Sequence, residues 1–144
     1  MKKLGFVISF ILIGGLYLSA QNKSNIDTRL NTVYSMEYLN DLLETNPQEL
    51  RFLNWSLDNS FTIMEMGPEK TEHLLPLQYF NPETKSICGT VESFDIENIN
   101  IYLYSFERKY DKSVTFRIGS TGYAIIFLSE KTLAENFNKY QYGK

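Results

Sequence analysis

Few side chains in this sequence are of types that carry chemistry, and their spacing limits what each could do. His73 is the only histidine. A histidine metal cage is therefore excluded, and any Ser-His-Asp or Cys-His site would have to use this one ring. It lies in "EKTEHLLP", a stretch without regular period, where a solvated or locally bonded imidazole is expected. Cys88 is the only cysteine, so an internal disulfide is excluded. Between the apolar neighbours of "SICGTV" it reads as a small buried hydrophobe rather than a reactive thiol. Glu37, Asp41 and Glu44 fall at i, i+4 and i+7, one stripe of a helix. An acidic face for a cation or a basic partner is the functional reading; a solvated outer face is the other. Glu92, Asp95 and Glu97 could serve a hydrolase only if two of them converge within about 5–10 Å in a pocket. "DIEN", residues 95–98, lacks the spacing and the glycine of an EF-hand. Asn22 and Asn54 open N-x-S triplets, which matter only in a glycosylating secretory pathway.

The remaining candidate is the polar turn in "RIGSTGYAIIFLSE". A phosphate cradle of glycines opens directly into a helix, whose N–H groups then face the anion. Here Gly119, Ser120, Thr121 and Gly122 lead into Tyr123, Ala124, Ile125, Ile126, Phe127 and Leu128. That run favours a strand, and no lysine follows the second glycine. The four residues are expected to form a hairpin turn, with glycine supplying positive φ.

The elements that must position these residues follow from periodicity. Leu30, Tyr34, Tyr38 and Leu42 recur every four residues, which predicts a helix through "TRLNTVYSMEYLNDLLET" with Asp27 as its N-cap. Asn46, Pro47 and Glu49 have the spacing of a second helix start, and Leu50, Leu53 and Leu57 form its apolar side with Phe52 and Trp55. "FTIMEM" and "SICGTVESF" read as strands. Pro76 and Pro82 exclude a central strand between residues 67 and 81, which predicts a long loop with at most a short edge piece at "LQYF". "NINIYLYSFE", "SVTFRIG" and "YAIIFLSE" are spaced as an antiparallel meander. Ser129 then caps a last helix in which Leu133, Phe137 and Tyr140 share a face. The expected fold class is α+β: an N-terminal helical hairpin, an antiparallel β-meander and a C-terminal helix.

The ends and the charge bound the setting. Lys2 and Lys3 precede an apolar run over residues 4–18, followed by Ser19 and Ala20. This is the order of a secretory signal peptide, and the run is shorter than the roughly 18 residues a membrane anchor requires. Cleavage after Ala20 would leave residues 21–144 as a single domain. It removes two lysines and no acid, taking the net charge from −3 to −5. An acidic chain does not suit sequence-independent binding of nucleic acid. No cofactor motif is visible.

Tyr and Phe number 10 each, and they gather in the strand-like runs. If "NINIYLYSFE" is a strand, Ile99, Ile101 and Leu103 face one side, and Tyr102, Tyr104 and Phe106 the other. The aliphatic set is then the core. The aromatic set, beside Arg108, becomes a candidate partner-binding face. "YAIIFLSE" is apolar on both sides, so both faces of the sheet centre must be covered.

The junction "SAQN" resembles those of exported proteins of Bacteroidota. "TFRIGSTGYAIIFLSEKTLAENF" is similar to the C-terminal segment of small envelope proteins of that group. The helical stretch "NTVYSMEYLNDLLE" resembles an accessory or plug subunit of a type 9 secretion system. The resemblance implies an exported chain, periplasmic or secreted, with an envelope protein as partner; it carries no residue-level roles. Three functions stand open on these grounds. They are a non-enzymatic protein-binding domain, a small-ligand or saccharide module built on surface tyrosines, and a carboxylate hydrolase.

Overall fold

A computed structural model describes residues 26–143; the expected signal peptide lies outside them. The fold is α+β. The chain divides into two compact units, one ending at Leu50 and the other beginning at Arg51.

In the first unit the helix expected from Asp27 onward is broken in two. Asp27 caps only a five-residue 3-10 helix, Thr28–Thr32. Its carboxylate accepts from the Arg29 backbone N–H at 2.9 Å and from the Arg29 guanidinium at 3.1 and 2.8 Å. Ser35, in extended conformation, then takes the Tyr38 N–H and starts α1, Met36–Thr45. Two residues that accept local N–H bonds thus compete with helix continuation between them. Leu30, Leu39 and Leu42 are buried, and the rings of Tyr34 and Tyr38 stack at 5.4 Å.

The start of α2, Pro47–Asn59, follows the expected pattern. Asn46 accepts the Glu49 N–H at 3.3 Å and returns an amide bond to the Glu49 carboxylate at 2.9 Å. Leu50, Leu53 and Leu57 are buried, as their spacing requires.

The second unit holds β1 (Phe61–Glu65), the short helix α3 (Pro68–Thr71), β2 (Gln78–Asn81), β3 (Ser86–Thr90), β4 (Tyr104–Ser105), β5 (Val114–Arg117), β6 (Tyr123–Phe127) and α4 (Glu130–Tyr142). Two three-stranded antiparallel sheets replace the expected meander, in the orders β1-β6-β5 and β3-β2-β4. β6 is central in the first, pairing Ile125 with Ile63 on one side and Phe116 on the other. Its Ala124, Ile125 and Phe127 are buried, so both of its faces are covered.

"LQYF" was expected to be an edge piece; instead β2 is the central strand of the second sheet. The prolines forbid hydrogen-bond donation only at their own positions, and β2 fits between them. Pro76 itself forms a parallel bridge with Arg117. In that bridge Arg117 donates to Leu75 and Leu77 donates to Arg117, each at 2.9 Å, so the missing N–H of Pro76 is not called upon. The Leu77 carbonyl accepts from Val91 at 2.9 Å, and the two sheets are thereby stitched together through one residue.

"NINIYLYSFE" is a strand only over the two residues of β4. A 3-10 turn at Ile96–Asn98 leads into it, and a second, Ile101–Leu103, precedes β4. The cause is local. Asp95 accepts the Glu97 N–H at 3.0 Å, and Asn100 accepts the Tyr102 N–H at 3.1 Å. Short polar side chains thus hold the backbone in turns that a ladder cannot use. Cys88, expected to be buried, is exposed on β3, where all five residues are exposed.

Candidate functional site

With only Tyr104 on a strand, Tyr102, Tyr104, Phe106 and Arg108 do not form one face. Each is half-buried, and each is engaged differently. The Tyr102 hydroxyl lies 2.6 Å from the Ser56 hydroxyl of α2. Tyr104 lies against Tyr79, its ring centroid 5.9 Å away. Burial, reinforced by the neighbouring Tyr79, pushes the Tyr104 hydroxyl up to about 12. Phe106 stacks face to face on the buried Phe127 at 3.6 Å. The Arg108 guanidinium sits 5.2 Å above the Phe106 ring and donates to the Leu128 carbonyl. Burial lowers its proton affinity, opposed by Tyr102 and Glu130.

Two of these four residues come together in a mainly apolar cavity of about 320 Å³, lined by Phe52, Ser56, Ile101, Tyr102, Arg108, Glu130, Leu133 and Ala134. α4 is fixed there by its Ser129 cap, which accepts the Thr132 N–H at 3.2 Å. Its first turn also donates to Lys109 and Tyr110: Glu130 N–H to the Lys109 carbonyl at 2.9 Å, Lys131 N–H to the Tyr110 carbonyl at 3.0 Å. Phe52 continues the wall outward into a ring cluster. It meets Phe137 edge-on at 5.0 Å, Trp55 lies 5.2 Å from Phe137, and Tyr140 lies 6.0 Å from Trp55. Leu133 and Phe137 are buried as expected, while Tyr140 on the same stripe is 59% exposed.

The other sequence candidates are dispersed. Glu37, Asp41 and Glu44 are exposed on α1, and no group of three potential metal ligands occurs among the described residues. Glu92, Asp95 and Glu97 are exposed, and Asp95 is held by the Glu97 N–H and the Asn98 amide. His73 is exposed, 3.4 Å from Glu72. The glycine turn is a hairpin between β5 and β6, with φ of 50° at Gly119 and 79° at Gly122. Thr121 stabilises it by donating to the Ile118 carbonyl and accepting the Tyr123 N–H.

Sequence reasoning did not find Tyr79, Trp55, Glu130 or Tyr140 as site residues. Trp55 and Tyr140 were legible only as apolar positions on two helices, and Tyr79 lay in a stretch read as loop. No protein-family model matches the chain, and neither curated proteins nor solved structures match it. No helix among the described residues is long and apolar enough to cross a membrane.

Proposed function

We propose that this chain is a non-enzymatic protein-binding domain of the cell envelope, exported through its N-terminal apolar segment. The partner class is the one implied by the sequence resemblance, a subunit of an envelope secretion complex. The observation that carries this reading is the continuity of an aromatic cluster, exposed at Tyr140 and half-exposed at Trp55, with an apolar cavity. Trp55, Phe137 and Tyr140 lead through Phe52 into the 320 Å³ space whose lining includes Arg108 and Glu130. Aromatic anchors beside a pocket, with charge at the margin, are the anatomy of an energetically dominant interface centre. The aromatic residues around Tyr102 and Phe106 support it from below rather than forming the contact themselves.

A photo-reactive residue introduced at Tyr140 of the full chain in its native host tests this. A discrete partner adduct should form there and not at Tyr110, which is comparably exposed at 68%. Trp55→Ala should abolish the adduct while the purified variant still melts cooperatively, since loss of a central aromatic costs about 2 kcal/mol of binding or more. Equal adducts at both positions, or none at Tyr140, would refute the reading.

A further inference from the structure

A second recess, lined by residues other than those of the α2–α4 face, lies at the second sheet. Tyr79 of β2 and Tyr104 of β4 are direct partners in the antiparallel register, which places their rings side by side on one sheet face. Across from them, Ser93, Asp95, Asn98 and Asn100 line the same cleft of about 280 Å³. The 3-10 turn at Ile96–Asn98 fixes two of these groups, Asp95 and Asn98. Asp95 accepts the Glu97 N–H at 3.0 Å and the Asn98 amide at 2.6 Å, which orients both side chains.

The polar inventory of the cleft is open in a particular way. The hydroxyls of Ser93, Tyr79 and Tyr104 and the amide oxygen of Asn98 have no hydrogen-bond partner among the described residues. The Asp95 carboxylate has acceptor capacity beyond its two bonds. The lining holds one acid and no base, so an anionic ligand has nothing to pair with. A simple cation is served by one carboxylate already satisfied twice, and leaves the neutral donors and acceptors unused. A ligand that uses all of them presents several hydroxyls around its rim and an apolar face to the rings.

We propose that this cleft is a carbohydrate-binding site: a neutral sugar ring lays its C–H face on the Tyr79–Tyr104 pair and directs its hydroxyls to Asp95, Asn98 and Ser93. Tyr79, 38% exposed, is the platform that meets the incoming ring.

Saturation-transfer NMR on the full chain with glucose, galactose, mannose and N-acetylglucosamine tests the site. At least one sugar should receive saturation, strongest on the C–H protons of one face. Tyr79→Ala should weaken it roughly tenfold, the factor that about 1.4 kcal/mol represents, and Asn98→Ala should weaken it without disturbing the sheet. Tetramethylammonium and inorganic phosphate serve as rivals. A blank with all four sugars, sugar binding untouched by both substitutions, or displacement of sugar by tetramethylammonium overturns the proposal. Trp55→Ala should leave sugar binding unchanged, which separates this site from the protein-binding face.

Discussion

Tyr104 shows how burial at one residue becomes a property of the protein. Its folded pKa is raised to about 12 from 10. Because the folded state holds the proton more tightly, the stabilisation is fully present below pH 10. It is lost as pH rises from 10 toward 12, where the unfolded chain ionises first. The ring is only partly buried, so solvent screening reduces the effect to roughly 1 kcal/mol. Tyrosinate absorbance during alkaline titration should show a late-titrating component that Tyr104→Phe removes, and the same substitution should flatten the fall in thermal midpoint over that window. Ser60 makes the opposite case. It is fully buried, and its hydroxyl has no partner among the described residues. An unsatisfied buried hydroxyl costs about 1–3 kcal/mol, so Ser60→Ala should raise the melting temperature. A fall would mean that the hydroxyl has a partner after all.

At the scale of elements, the sequence was most legible where a cap and an apolar period agree. α2, β5, β6 and α4 form where expected, with Asn46 and Ser129 as caps. It was least legible where a polar side chain bonds its own backbone. Ser35, Asp95 and Asn100 look like ordinary surface residues in a helix or strand pattern, yet each accepts an N–H two or three residues on and re-routes the chain. The aromatic face expected from strict alternation over residues 99–106 disappears for that reason. What could be read of the candidate site was Tyr102 and Arg108; their neighbours Glu130 and Leu133 come from an element distant in sequence that only folding brings near. The hairpin illustrates the legible side. A Cβ on Gly119 would lie 2.3 Å from the Glu92 carbonyl oxygen, in a backbone conformation of φ 50°. Gly119→Ala therefore requires both strain and a backbone shift, and should cost about 3 kcal/mol or more. At Gly122 the nearest atom is the Pro68 side chain at 3.1 Å, so Gly122→Ala should cost less. Denaturant midpoints of the two variants check the order.

At the scale of the molecule, the two proposed sites are lined by different residues of the second unit but share the turn Ile101–Leu103, so their independence depends on how rigidly that unit holds. Leu77 is the hinge of the matter, donating to Arg117 and accepting from Val91. Both bonds must break before either sheet opens alone. The amides of Leu77, Val91 and Arg117 should consequently exchange with deuterium together, at the rate set by opening of the whole unit. Exchange of Val91 much faster than Arg117 would show that the sheets open separately.

The same crossing closes off a route to aggregation. The outer side of β5 would otherwise be a ledge on which a strand from another molecule could lie. At Arg117, the end of that ledge is occupied instead by the chain around Pro76, which has no N–H to offer a newcomer. A residue that a strand would ordinarily exclude thus shortens an open sheet edge, and self-association by strand addition has less length on which to begin.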